Sequence, residues 1–200
     1  MVMKKKLINF YKGKKVLVTG ATGFKGSWLC NWLLLIGAKV YATGNNPNKN
    51  KRLFYNLNLD KKVKLKIFDI RDFNKTKKFI DKINPNIIFH LAAQPLISQS
   101  YSNPKGTYEI NTIGTLNILE TVRENKNVKN VILVTSDKCY ESNNSTIGFK
   151  ETDKLGGKDP YSGSKACAEI IIKSYYESFF KDKKIGLASA RAGNVIGGGD

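Results

Sequence analysis

An unbroken apolar run, Val16-Leu17-Val18, leads through Thr19 into Gly20, Gly23 and Gly26, and Trp28, Leu29, Trp32, Leu33 and Ile36 then recur at helical spacing. A strand without polar alternation has both faces covered, as in a parallel sheet. Glycine permits the tight turn that follows, and it lets a helix pack closely on the strand it leaves. Strand, glycine turn and helix in this order constrain the chain to an α/β architecture. They also aim the first N–H groups of a helix at whatever anion rests on the turn. Gly-x-x-Gly-x-x-Gly is a dinucleotide fingerprint with its first gap widened, so Gly20, Gly23 and Gly26 are read as cofactor-binding.

The rest of the chain alternates in the same way. Strands are predicted over 38–43, 63–68, 86–91, 131–135 and 185–192, and helices over 24–37, 72–83, 104–123 and 161–180. Pro85 stops the second of these helices. Such alternation predicts parallel strands joined by right-handed crossovers, a Rossmann-like doubly wound sheet. One dinucleotide-binding domain over residues 1–200 is expected. Gly197-Gly198-Gly199-Asp200 reads as a loop leaving the sixth strand, and a loop there would normally lead to a further element.

Composition excludes several function classes. No apolar run approaches the roughly 20 residues that span a bilayer. Leu7–Phe10, behind the basic start Met1–Lys6, is too short for a signal-peptide core, which makes the cytoplasm the expected compartment. Cys30, Cys139 and Cys167 lack metal-ligand spacing and read as reduced thiols, with no metal site expected. The net charge of +18 comes from lysines spread along the chain without a block of like charges. That is a solvated surface rather than a nucleic-acid stripe, although its field would draw an anionic nucleotide.

Three further groups carry chemistry. Tyr161 and Lys165 lie four apart, on one face of the predicted last helix. A phenol is a poor base at neutral pH, and a neighbouring ammonium and a nicotinium ring would favour its phenolate. Lys165 is also placed to hold ribose hydroxyls. Ser136, Asp137 and Lys138 stand at the carboxyl end of the fifth strand, the edge where ligands bind open α/β sheets. Ser136 would share a hydrogen bond with a substrate hydroxyl that Tyr161 deprotonates. No carboxylate ends the second strand, where a ribose-binding acid is usual, and Lys49 and Arg52 are either 2′-phosphate ligands or solvated loop residues. NAD and NADP are both compatible with that pattern. Asp69 is either an acceptor for the adenine amino group or a turn residue. Ala92, Ala93 and Gln94 would line the cofactor, and His90 reads as a packed, hydrogen-bonded core residue.

With these segments in place, the chain resembles the extended short-chain dehydrogenase/reductase family of nucleotide-sugar enzymes, and within it the dehydratases acting on CDP-glucose. The resemblance rests on Thr22–Trp28, His90–Leu96, Thr135–Tyr140, Asp159–Ser162 and Arg191–Asp200. Phe24-Lys25-Gly26 and Ser136-Asp137-Lys138-Cys139-Tyr140 discriminate most, because related dTDP-glucose dehydratases carry Asp-Glu where this chain has Asp137-Lys138. The resemblance implies NAD as cofactor, with Thr22, Phe24, Lys25 and Ile70 joining the cofactor site. It implies CDP-glucose as substrate and a homodimer or higher homo-oligomer, with neither a nucleic-acid nor a membrane partner. It further implies proton abstraction from the sugar 4-hydroxyl by Tyr161, removal of the C5 proton by Lys138, and protonation of the departing 6-hydroxyl by Asp137. Lys138 must then be neutral, which requires burial or the charge of Lys165. It implies as well that residues 1–200 are the NAD-binding domain and that the C-terminal substrate-binding part is absent from them; an epimerase of the same fold and an inactive NAD-binding module are the alternatives.

Overall fold

The computed structural model describes residues 2–45, 53–141 and 148–199. Its six strands are β1 (Lys15–Thr19), β2 (Lys39–Gly44), β3 (Lys64–Ile67), β4 (Ile87–His90), β5 (Asn130–Ser136) and β6 (Gly186–Ala192). All pair in parallel, in the order β3-β2-β1-β4-β5-β6. This is the doubly wound sheet read from the sequence. Because β1 lies between β2 and β4, the winding reverses there and opens a crevice beyond the carboxyl ends of β1 and β4.

Nine α-helical segments surround the sheet among the described residues. They are α1 (Val2–Tyr11), α2 (Phe24–Leu35), α3 (Leu53–Asn56), α4 (Leu59–Lys62), α5 (Phe73–Ile83), α6 (Ile97–Ser102), α7 (Pro104–Tyr108), α8 (Gly114–Glu124) and α9 (Pro160–Tyr175). Burial on both faces explains the apolar run of β1. Val16 and Val18 enter a cluster with Cys30, Leu33 and Phe54, whereas Leu17 enters one on the opposite face with Ile88, Ile118 and Leu133. Local chemistry sets the helix ends. Asp72 caps α5 by accepting from the Lys75 amide at 2.9 Å, and Asn84 ends it in the left-handed region at φ 52°.

Among the departures from the predicted elements, one lies at the start of the chain and one beneath the crevice. The basic N-terminal stretch forms α1, whose Ile8 and Tyr11 pack on the first cluster, with Tyr11 edge-on to Trp32 at 5.9 Å. The long helix predicted over 104–123 runs through α7 and α8 but widens into a π turn over Glu109–Ile113. A π turn adds one residue to the helical circuit and re-aims the side chains within it. Here it holds Asn111 in the interior beneath the crevice.

Candidate active site

The glycine turn lies against the backbone after β4. Gly20 has φ +66°, and a Cβ there would sit 2.6 Å from the Ala92 nitrogen. At Gly26 a Cβ would press on the Ala21 Cα at 2.7 Å. Both positions therefore exclude a side chain for reasons of packing. Gly23 differs, since a Cβ would meet only the Gly20 carbonyl, at 3.3 Å. Its outward side is free for backbone approach by a ligand. The α2 helix that starts after Gly23 has no side-chain cap and no acid in its first turn. Its leading N–H groups suit a diphosphate. At the end of β2 the Thr43 hydroxyl is buried without a partner. These features fit a dinucleotide. Lys49 and Arg52 lie outside the described residues.

Beyond β5 the chain makes a 3₁₀ turn over Asp137–Cys139, and the Ser136 hydroxyl accepts from the Lys138 amide at 3.3 Å while donating to Asp137 Oδ1 at 3.1 Å. The α9 helix starts at Pro160, capped by Asp159, which accepts from the Ser162 amide at 2.9 Å. That start brings the Tyr161 hydroxyl within hydrogen-bonding reach of Ser136. Lys25, Ser136, Asp137, Lys138 and Tyr161 then line one pocket of ≈ 390 Å³, closed on another side by Pro95–Ser98 and Ala192–Asn194. All three candidates from the end of β5 thus meet the candidate phenol in one space.

The electrostatics bear on two expectations. Burial raises the Tyr161 phenol above its ordinary value, only partly offset by the Ser136 hydrogen bond. Lys165 is the group that moves most usefully. Burial first, and then the charge of Lys25, lower its ammonium to about 8. Lys138 is not buried. Its side chain is 38% exposed and its ammonium stands 3.8 Å from Asp137 Oδ1. The desolvation demanded of Lys138 is therefore absent among the described residues.

A buried polar chain, invisible to the sequence reading, supports this arrangement. The Thr19 hydroxyl accepts from the amides of Leu91 (3.2 Å) and Ala92 (3.1 Å), leaving its proton for His90 Nδ1 at 2.8 Å. The opposite ring nitrogen then donates to Thr115, at 3.3 Å, whose own proton goes to the Asn111 carbonyl at 2.7 Å. Acceptor and donor roles alternate without conflict only if His90 is neutral with its proton on Nε2. Burial, and secondarily the Lys165 charge, hold that ring's pKa at about 3. Asn111 continues the chain, donating to the Gln94 carbonyl at 3.1 Å and to Ser164 at 2.9 Å, and Ser164 donates to the Tyr161 carbonyl at 2.6 Å. His90 is thus the packed core residue expected of it.

Behind the pocket stands a second buried group. Glu169 follows Lys165 by one helical turn and receives the hydroxyls of Thr135 and, at 3.0 Å, Ser189. Arg191, on β6, donates to the same carboxylate at 2.8 Å. Its other terminal nitrogen reaches the Tyr140 hydroxyl at 2.9 Å, and its guanidinium lies 4.9 Å from the centre of that ring.

The remaining candidates are dispersed around the crevice. The Asp69 carboxylate is engaged by Arg71, which donates from its backbone at 2.9 Å and from its guanidinium at 2.6 Å. That is the geometry of a turn residue, and it holds the Asp69 acid below its ordinary range. Ile70 packs in the second cluster, and its carbonyl accepts from Asn117 at 3.0 Å. Ala92 and Ala93 border the glycine turn's side of the crevice in the backbone leaving β4. Gln94 is buried, and its amide group serves the loop, bonding Thr107 and the Leu96 carbonyl at 3.0 Å each. The described residues hold no cluster of metal-ligating type, and none of their helices is long and apolar enough to cross a membrane.

The family model described as GDP-mannose 4,6 dehydratase matches residues 17–193. The chain belongs to this family. Its relatives in the GDP-mannose 4,6 dehydratase family include a CDP-glucose 4,6-dehydratase from Salmonella typhimurium, 47% identical over 96% of this chain and 55% of that protein. A solved epimerase from Methanothermobacter thermautotrophicus superposes with a TM-score of 0.78 at 26% identity, over 94% of this chain and 54% of that one. The UDP-glucose 4-epimerase of Thermus thermophilus, solved in complex with NAD, gives 0.77 at 28% identity over 88% of this chain and 54% of that one. This chain spans about half the length of each of these proteins.

Proposed function

We propose that the chain carries the cofactor and proton-transfer machinery of an NAD-dependent CDP-glucose 4,6-dehydratase. The observation that carries this reading is the pocket gathering Tyr161, Ser136, Asp137 and Lys138 beside the glycine turn. The 47% identity to a CDP-glucose 4,6-dehydratase supports the choice of substrate. Gly20, Thr22, Gly23, Phe24, Lys25 and Gly26 would hold the dinucleotide, with Asp69, Ile70, Ala92, Ala93, Gln94, Tyr161 and Lys165 around it. When bound, its nicotinamide takes a hydride from the sugar and later gives it back.

The protein's own residues move the protons. Tyr161, helped by Ser136, takes the proton of the 4-hydroxyl as that carbon is oxidised. The positive charges of Lys165 and of the oxidised ring offset the burial that raises the phenol. A ketone at C4 acidifies the C5 proton, which Lys138 removes as the C5–C6 double bond forms. Asp137 gives its proton to the departing 6-hydroxyl, so water leaves. The Lys138 proton then returns to C5 as C6 is reduced, and the product is CDP-4-keto-6-deoxyglucose. A sugar nucleotide seated in the pocket would shield the exposed Lys138 from water and supply the desolvation its role as a base requires.

Mass spectrometry on CDP-glucose incubated with NAD and the protein tests this. A product lighter by one water is expected. Consumption of CDP-glucose without water loss would overturn the dehydratase reading in favour of epimerisation. Unchanged CDP-glucose with NAD bound would restrict the chain to cofactor binding. Lys138→Ala separates the alternatives further: a dehydratase keeps C4 oxidation and loses water elimination by about 100-fold or more, whereas an epimerase is little changed.

A further inference from the structure

We propose that the Glu169–Arg191 ion pair is a positioning clamp that sets the Asp137/Lys138 turn against Tyr161, and so governs the elimination step separately from oxidation. This rests on the dehydratase reading above. The turn that carries Asp137 and Lys138 is held at both ends by this one pair. On its N-terminal side Thr135, next to Ser136, donates its hydroxyl to Glu169. On its C-terminal side Tyr140, next to Cys139, receives the Arg191 guanidinium on its hydroxyl and beneath its ring. Arg191 also donates to the Glu151 carbonyl at 3.0 Å, and Tyr140 stacks on Phe149 at 4.6 Å, which ties in the chain beyond the turn.

The pair adds directional bonds among three elements that also pack directly, through Cys139, Tyr140 and Ala166. Glu169 is on α9, the helix that carries Tyr161 and Lys165, and Arg191 is on β6. Asp137 and Lys138 themselves are more than a third exposed and, among the described residues, have only each other as an ion pair. Their position is therefore set through their neighbours. Tyr161 is held independently, by the Asp159 cap and by the Ser164–Asn111 link. Loosening the clamp consequently leaves the phenol in place and lets the acid and base drift. A displacement of about 1 Å in a catalytic group costs on the order of 100-fold.

The buried Glu169 carboxylate is 4% exposed and the Arg191 side chain 17%. A pair so sequestered is not explained by net stability, because desolvation offsets most of its Coulombic gain. Specification of one geometry is what it adds. Arg191 is also committed geometrically: its two terminal nitrogens point in different directions, to Glu169 and to Tyr140, which a lysine cannot reproduce.

The test uses the full chain loaded with NAD and given CDP-glucose, with two readouts: reduced nicotinamide absorbance for hydride uptake and mass for water loss. Arg191→Met and Glu169→Gln are expected to keep single-turnover hydride uptake within about threefold, while water loss falls by about 100-fold. Arg191→Lys recovers part of the water loss, since it restores the ion pair without the second arm. Thermal melts identify variants that fold. Tyr140→Phe, which removes only the hydroxyl that Arg191 grips, shows the same split at smaller amplitude. Uptake and water loss falling together in a folded variant, or no split in Tyr140→Phe, would overturn the clamp. Failure of the underlying reading looks different, because then the unmodified protein itself loses no water from CDP-glucose.

Discussion

Burial removes the Lys165 amine from water, no described carboxylate forms an ion pair with it, and Lys25 adds repulsion, so its pKa falls to about 8 from an ordinary 10.5. The folded state then binds fewer protons than the unfolded chain between those two values. Charged Lys165 accordingly destabilises the fold below about pH 8, and the penalty disappears as pH rises towards 10.5. Lys165→Met should be more stable than the wild type at pH 7 by up to about 3 kcal/mol, and the gap should close by pH ~10.5. Melting curves across that range measure it, and a constant gap would rule out this account. For the proposed chemistry, the same cation near Tyr161 is worth its cost only with substrate bound. Tyr161→Phe should leave dinucleotide affinity within a few-fold and reduce hydride uptake by about 10²–10⁴-fold. His90 follows the same sign in a more acidic window. Its folded pKa of about 3 lies below the ordinary 6.5, so the contribution of its neutral, doubly bonded ring is present above pH 6.5 and is lost as pH falls towards 3. His90→Asn should flatten acid unfolding in that window, as followed by circular dichroism.

Among the elements, the three glycines of the turn after β1 divide by task. Gly20→Ala and Gly26→Ala push a Cβ into backbone, at Ala92 and Ala21 respectively, and should each cost several kcal/mol of stability. Gly23→Ala should cost less than about 1 kcal/mol, since its φ of −81° suits any residue, yet weaken NAD binding about tenfold or more. Melting temperature and calorimetric titration separate the two effects. The sequence made the turn legible because its glycines interrupt two clear hydrophobic periods. The strand–helix alternation was readable for the same reason, and Ser136, Asp137 and Lys138 were singled out by their place at a strand end, Tyr161 by its spacing to Lys165. What stayed hidden depends on register between distant elements. Glu169 and Arg191 meet only once β6 is aligned on β5, with Arg191 beside Thr135. The π turn at Glu109–Ile113 leaves no mark in hydrophobic spacing, so the inward aim of Asn111 could not be read.

For the whole molecule, 34 basic residues against 16 acidic ones give an excess charge that no single site absorbs. Association with a dianionic sugar nucleotide should therefore slow several-fold as ionic strength rises from about 0.05 M to 0.5 M, with dissociation changing less. Stopped-flow binding at several salt concentrations tests this, and a salt-independent association rate would refute it. The order of the sheet has another consequence, for how the chain is made. Its innermost strand, residues 15–19, must wait for residues 87–90 before its second edge is covered. The bond from Thr19 to His90 spans the same gap of 71 positions. During synthesis, then, the first βαβ unit emerges from the ribosome with one flank of its central strand unpaired. That flank stays open to wrong partners, for seconds at ordinary rates of elongation, until β4 arrives to close it.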